Sequence, residues 1–341
     1  MTSRRAPWVL SCALIAFAVG ALAQAPAPAP TPSPATTATQ GLPPSSPTPS
    51  PSPSPSPVSA IRNKLAAADL LSAESVLEVH RAQHGEDGPW LVGLSWLARG
   101  ALMLGDPSRA QRYAAEARAE CKERMAKGAS LEKDHDLETA LGAAIEVEAQ
   151  RLEQLRGPQV AADYARREFA TLPALPAAPS LHSRIQKRIN LLTLIGSPAP
   201  ELVSEDASGP PPPTLASLHG KPVVLFLWAE WCGDCKAQAT SLARIRSRYA
   251  PRGVQFITLT RYYDEPEKHA QEKARADSVW KAVYADVGPL PAVTSTTSMV
   301  RYGGSSTPTF VFIDRRGIVR GYTPTRLTTE ELERRVAAIE K

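Results

Sequence analysis

Cysteine is scarce in this chain: among 341 residues there are four, Cys12, Cys121, Cys232 and Cys235. So few cannot staple a scaffold together through disulfides. A chain of this length has ample material for hydrophobic cores instead, and suggests about two domains. A strong excess of charge of one sign is also missing. The formal net charge of +5 is mild for the size and argues against a dedicated nucleic-acid binder, so no nucleic acid is expected as a partner. Metal-ligand clusters are lacking too. His80 and His84 have the i,i+4 spacing that puts two ligands on one helix face, but no third ligand accompanies them, and a solvated helix face is the simpler reading. No second cysteine pair follows Cys235 to complete a zinc site. Neither a metal nor any other cofactor is expected.

Charged and aromatic residues are absent from 25–57, where 13 of the 33 prolines are gathered in Ala-Pro and Ser-Pro repeats. Proline fixes φ and removes donors, so this segment reads as a disordered, extended spacer. It follows an apolar stretch, Trp8 to Leu22, preceded by Arg4 and Arg5 and ending in Ala21-Leu22-Ala23. That is the pattern of an export signal with an A-x-A cleavage site. Its length is near the lower limit for a membrane span, so an uncleaved anchor is the alternative. Too little apolar sequence precedes Cys12 for a lipidation site. The division expected is 1–23 signal peptide or N-terminal anchor, 24–57 linker, 58–195 helical domain and 196–341 a second domain. An exported, periplasmic or extracytoplasmic protein follows, tethered to the inner membrane if the signal is retained.

From 58 to 195 alanine, leucine, glutamate and arginine dominate, with apolar residues at helical spacing. Asp69 caps a helix carrying Leu71, Val76 and Leu77. Pro89 opens another that runs to Gly105, and a third begins at Pro107 and runs towards Lys127. Further helices are expected over 134–156, 158–171 and 180–194. Leu97-Ala98, Gly105, Ala110 and Ala117 match the small-residue positions of a tetratricopeptide repeat, and Asp69 with Ala73 and Gly157 with Ala162 are degenerate copies at unequal spacing. The region reads either as a partner-binding surface of repeat-like hairpins or as a compact helical domain. Cys121, on an alanine-rich helix, reads as a packing residue.

The chemistry lies further on. Lys221 to Ala229, KPVVLFLWA, is a continuous apolar run typical of a buried strand, and Glu230-Trp231-Cys232-Gly233-Asp234-Cys235-Lys236 leads from it into a helix bearing Leu242, Ile245 and Tyr249. The first cysteine then sits at a helix N-terminus, where the dipole and free N–H groups favour a thiolate, and the second lies one turn on. Such a dithiol suits thiol–disulfide exchange, with Cys232 attacking and Cys235 resolving; a static structural disulfide is the bland alternative. Strands are expected over 254–260 and 309–314, a helix over 265–283, a tight turn at Arg315-Arg316-Gly317 with a returning strand over 318–322, and a final helix capped by Thr328 or Thr329.

Residues 228–236, WAEWCGDCK, resemble the active-site segment of thioredoxins, and Thr307-Pro308-Thr309 resembles that family's cis-proline loop. The lead-ins Gly196-Ser197-Pro198-Ala199-Pro200 and Leu218-His219-Gly220-Lys221-Pro222 are similar to the TlpA/ResA-like branch. The resemblance spans about 196–341. It implies an α/β thioredoxin fold acting as a protein-disulfide reductase, which follows the all-α domain of tetratricopeptide-like hairpins expected over 58–195, a region outside this resemblance. Cys232 would be the exposed nucleophile and Cys235 the buried resolving thiol. Pro308 would lie beside the sulfurs, Thr307 would offer backbone hydrogen bonds to the substrate chain, and Trp231 would flank the dithiol. Protein thiols and disulfides would be the substrates and a membrane or periplasmic partner the electron donor; a protein partner on the helical domain is the separate expectation from its repeat-like hairpins. Two positions depart from the family. Phe226 stands where many thioredoxins carry a buried aspartate, which leaves Glu230 and Asp234 as candidate proton acceptors. Asp234 also replaces a common proline, and a carboxylate there disfavours the Cys232 thiolate, which argues for a reducing protein. The competing readings are a thiol peroxidase of the peroxiredoxin type, although no cysteine here has the P-x-x-x-T-x-x-C context, and an interaction protein with a scaffolding thioredoxin domain.

Overall fold

The computed structural model describes residues 56–174 and 177–341. The expected signal peptide, Cys12 and all of the proline-rich linker but its last two residues lie outside the described residues. The last linker residue, Pro57, is already the first residue of a helix, a position where proline costs no hydrogen bond.

Seven helices follow: α1 (Pro57–Ala66), α2 (Leu70–His84), α3 (Gly88–Met103), α4 (Pro107–Ala126), α5 (His135–Arg156), α6 (Pro158–Ala170) and α7 (Pro179–Leu194). Their starts are written locally. Asp69, Asp87, Asp106 and Asp134 each cap a helix by accepting a backbone N–H three residues on, at 2.8–3.0 Å. Proline occupies the first turn of α3, α4, α6 and α7. Successive helices pack against one another, and α3 also lies against α5. Close approach depends on small side chains: Ala73, Ala98, Ala110, Ala117 and Ala162 are completely buried. Cys121 belongs to this core, and burial pushes its thiol up to about 12. Leu71 does not: it is 64% exposed, because the inward stripe of α2 is Leu70, Ala73 and Leu77. His80 meets Asp87 at 2.8 Å and its ring lies 4.6 Å from that of His84.

The rest of the chain builds a six-stranded sheet: β1 (Asp206–Ser208), β2 (Val223–Leu227), β3 (Gln255–Thr260), β4 (Ala292–Thr294), β5 (Thr309–Ile313) and β6 (Val319–Thr323), in the order β1-β4-β3-β2-β5-β6. β2, β3 and β4 run parallel, whereas β5 is antiparallel to β2, β6 to β5 and β1 to β4. Every residue of β2 is buried because both sheet faces are covered. Val224 and Phe226 face a core shared with Leu242 and Ile245 of α9 (Ala239–Tyr249), Tyr284 beyond α10 (His269–Val283), and Leu332 and Val336 of α12 (Thr329–Glu340). Val223, Leu225 and Leu227 face a second core with Leu194 of α7, Met299 of α11 (Thr296–Arg301) and Tyr302.

The short elements β1, β4 and α11 are absent from the expected order of strand, helix, strand, helix, hairpin, helix. Three-residue strands are too brief to show an alternation. The helix after the cysteines is also not continuous: α8 (Gly233–Ala237) is broken off at Gln238, and α9 begins at Ala239.

Pro57–Lys341 forms one unit. The helical layer meets the sheet through α7 and α11: the Asn190 side-chain amide donates to the Val300 carbonyl at 2.8 Å, and Gly303 (φ +65°) lies directly under Leu191 and Lys187. The start of α11 is held by Glu205, whose carboxylate accepts from the Ser295 hydroxyl and from the Thr296 and Thr297 N–H groups at 3.0–3.2 Å. Burial alone would raise its pKa; these hydrogen bonds outweigh it and hold the carboxyl below its ordinary value. The same holds for Asp314 in the β5–β6 turn, which accepts from the Arg316 and Ile318 N–H groups and from Arg320. A depressed folded pKa contributes stability that is fully present above the ordinary carboxylate range and is lost as pH falls through the folded value. The melting temperature is therefore expected to fall as the pH is lowered below about 4, and Glu205→Gln to flatten part of that fall in a calorimetric series. An unchanged slope in the variant would remove Glu205 from the account.

Candidate active site

β2 ends at Leu227 and hands the chain through buried Trp228 and Ala229 to Glu230, Trp231 and Cys232. Cys232 is the N-cap of α8, and its Sγ accepts a hydrogen bond from the Cys235 N–H at 3.1 Å. Cys232 and Cys235 are joined in a disulfide, with Cα atoms 5.2 Å apart. Cys235 is completely buried, and Cys232 keeps only 5% of its surface. The residue that the resemblance makes an exposed nucleophile is thus nearly covered in this oxidised state, because the pair packs into the core with Trp228 and Ala229. The surface at this point belongs to Trp231, which is 59% exposed.

The two candidate acid–base groups are engaged elsewhere. Glu230 accepts from the Trp231 N–H at 3.1 Å and from Arg275 at 3.3 Å, and Arg275 also holds Asp264 at 2.6 Å. Asp234 points into solvent, with Arg326 at 3.8 Å. Among the described residues neither carboxylate is hydrogen-bonded to a cysteine sulfur. The Arg326 cation and the surrounding water also screen the repulsion that Asp234 was expected to exert on a Cys232 thiolate. Phe226, at the aspartate position of the family, is a core aromatic stacked on Phe310 at 5.0 Å between ring centroids.

The Thr307–Pro308 peptide is cis, Pro308 is buried and Thr307 half-buried. The pairing of Thr309 with Leu227 brings this loop beside the end of β2 from which the cysteines follow. The topology therefore gathers Cys232, Cys235, Trp231, Thr307 and Pro308 at one end of the two central strands. Glu230 is half-buried alongside, and Asp234 lies outside.

Several supporting residues escape the sequence reading. Tyr263 stands edge-on to Trp231, 5.2 Å between centroids, and carries the Arg261 guanidinium 4.3 Å over its ring. Its backbone is fixed by Glu272, a buried carboxylate that accepts from the N–H groups of Tyr263 and Asp264 at 2.9–3.1 Å. Gln238, completely buried, bonds both the N–H and the carbonyl of Leu327 and so ties the α8–α9 break to the approach to α12. The only sequence signal for the first group was the run Arg261-Tyr262-Tyr263 just past a strand; Gln238 gave none.

Comparison with known proteins bears on the same segment. Residues 195–322 match the AhpC/TSA family. The thiol-disulfide oxidoreductase ResA of Geobacillus kaustophilus (strain HTA426) is 26% identical over 157 residues, covering 42% of this chain and 78% of that protein. The thioredoxin-like protein YneN of Bacillus subtilis (strain 168) is 23% identical over 141 residues, 41% of this chain and 78% of that one. Among solved structures, a secreted Mycobacterium tuberculosis disulfide oxidoreductase homologous to E. coli DsbE is 26% identical, with a TM-score of 0.31 over 37% of this chain and 88% of that one. Behind its helical layer, this chain carries a thioredoxin-like domain whose residues 195–322 match the AhpC/TSA family and which is similar to thiol-disulfide oxidoreductases of the ResA type.

Proposed function

We propose that this protein is an exported thiol–disulfide oxidoreductase that reduces protein disulfides through Cys232 and Cys235. The observation that carries the reading is the disulfide capping α8 at the end of the central strand, with an exposed tryptophan at its lip. In the reduced protein the Cys232 thiolate attacks one sulfur of a substrate disulfide. A mixed disulfide forms and the other substrate sulfur leaves as a thiolate, which takes up a proton. Cys235, deprotonated, then attacks Cys232, the mixed disulfide breaks and the second substrate thiol is released. Two electrons pass from the dithiol to the substrate, and an external dithiol donor, membrane-bound or periplasmic, restores the pair by the reverse exchange. The Cys235 N–H aimed at Cys232 Sγ stabilises the thiolate that attacks. Trp231 offers an apolar contact and the Thr307–Pro308 loop a backbone edge to the substrate chain. The pair is its own redox centre and calls for no added cofactor. The helical layer is the natural place for a protein partner.

The direction of transfer is tested by equilibrating the pair with glutathione or dithiothreitol buffers. A reduction potential near about −270 mV supports a reductase, and one near about −120 mV overturns that direction in favour of an oxidant. A peroxidase reading gains nothing from the geometry, since Cys232 is covered and bonded to Cys235.

A further inference from the structure

The helical layer sorts its charges by helix. α1, α3 and α7 contain no aspartate or glutamate, yet Arg62, Arg99, Arg184 and Lys187 are among their cations. α1 packs on α3, α3 on α5 and α5 on α7, so these cations sit on helices that follow one another across the layer.

Contacts link them into a row. The Arg62 and Arg99 guanidinium groups both lie over the Trp96 ring, 4.9 Å and 5.2 Å from its centroid. Arg99 and Arg184 share one carboxylate, Glu146 of α5, at 3.3 Å and 2.5 Å. Lys187 lies three residues beyond Arg184, on the same side of α7. Arg261, just past β3, carries the row to the disulfide: it lies over Tyr263, and Tyr263 stands against Trp231.

Glu146 alone does not balance these cations. Burial and the Arg184 charge lower the Arg99 pKa against the pull of Glu146. Burial and the Arg261 charge do the same to Lys187, which puts Arg261 within its field. The remaining arginine of α7, Arg188, is paired with Glu153 at 2.5 Å. A carboxylate brought to the row would relieve both depressed cations. Arg99, Arg184, Lys187 and Arg261 are half-buried, so their charges are recessed among the helices. That suits a slender chain whose acidic side chains reach inwards better than a flat sheet of lipid headgroups. With helix axes about 8–10 Å apart, the way from α1 to α7 is roughly 25–30 Å, the span of about eight extended residues.

We infer that this row is the docking surface for an acidic, extended segment of the protein substrate, whose carboxylates sit on Arg62, Arg99, Arg184, Lys187 and Arg261 and which runs on to Trp231 so that its disulfide meets Cys232. Docking itself does not need the cysteines; only the delivery of the disulfide rests on the exchange function proposed above.

Docking is read by titration calorimetry on the full chain with two end-capped, cysteine-free peptides of about eight residues, a Glu-Ser repeat and the matching Gln-Ser repeat. The acidic repeat should bind about tenfold or more tightly and lose most of that advantage as salt is raised to about 0.5 M. Lys187→Gln and Arg261→Gln should each weaken it about threefold, with near-ultraviolet circular dichroism reporting that the fold is kept. Lys281→Gln removes an exposed cation from α10 and should leave the affinity unchanged. Delivery is read by attaching each repeat to the same small peptide disulfide. The acidic tail should lower KM about three- to tenfold at unchanged kcat, and Lys187→Gln should shrink that difference. Neutral bis(2-hydroxyethyl) disulfide reports the exchange chemistry alone. Equal binding of the two repeats, or a loss in Lys281→Gln as large as in Lys187→Gln, would overturn the docking surface even where the neutral disulfide is reduced. Binding to phosphatidylglycerol vesicles that depends on Lys187 and Arg261, with neither repeat bound, would overturn it in favour of a membrane. An acidic repeat bound through Lys187 by a protein unable to reduce the neutral disulfide would keep the docking surface and overturn the delivery of a disulfide.

Discussion

Cys232→Ser should bring disulfide-reductase activity towards insulin down to the rate of dithiothreitol alone, a loss on the order of a hundredfold or more, because the attacking thiolate is gone and nothing nearby replaces it. Cys235→Ser should fail differently. Its Cys232 still attacks, but the mixed disulfide has no resolving thiol, so a covalent complex with the substrate should accumulate, visible by mass and released by reductant. The remaining thiol in the described residues serves as an internal control. Cys121 is completely buried in the helical core and its thiol is pushed up to about 12, so alkylation of the native reduced protein should spare it. A Cys232→Ser protein as active as the wild type would end the exchange reading. A Cys235→Ser protein that turns over without trapping substrate would remove its second step.

Gly303→Ala should destabilise the fold by roughly 2–4 kcal/mol, the sum of positive-φ strain and overpacking, and lower the melting temperature by about 3–7 °C. At Gly303, φ is +65°, and an added Cβ would lie 2.8 Å from Leu191 Cβ, 3.0 Å from the Lys187 carbonyl oxygen and 3.2 Å from Leu191 Cα. Two of these are backbone atoms of α7 and cannot step aside without moving the helix. The comparison is Gly317→Ala in the β5–β6 turn, where φ is +74° and an added Cβ meets nothing within 4 Å. That variant carries the backbone strain alone and should cost about 1 kcal/mol. Equal losses in the two would show that α7 is not seated on the sheet layer as described. If Gly303→Ala also splits the melt into two transitions, the contact it breaks is the one that makes the helical layer and the sheet unfold together.

Much of this was legible in the sequence, for local reasons. The aspartate caps, the prolines in first helical turns and the apolar run of β2 are short-range signals, and the structure places their helices and strands within a residue or two of the expected bounds. The cysteine pair was legible because strand, C-x-x-C and helix follow one another within a few residues. Leu71 shows the limit of such signals: it is apolar and lies in the right helix, but which stripe of α2 faces inward is decided by α1 and α3 packing on it.

The linear chain by itself determined the types of the longer elements, the dithiol and its position at a helix start, since each depends on neighbours within about one turn or one strand. Only the tertiary structure decided what surrounds them. It set Glu230 in an ion pair with Arg275, turned Asp234 to solvent and stood Tyr263 against Trp231. These partners are drawn from segments tens of residues apart. Their meeting is fixed by strand order and by the packing of helices across the sheet, and no spacing along the chain encodes it.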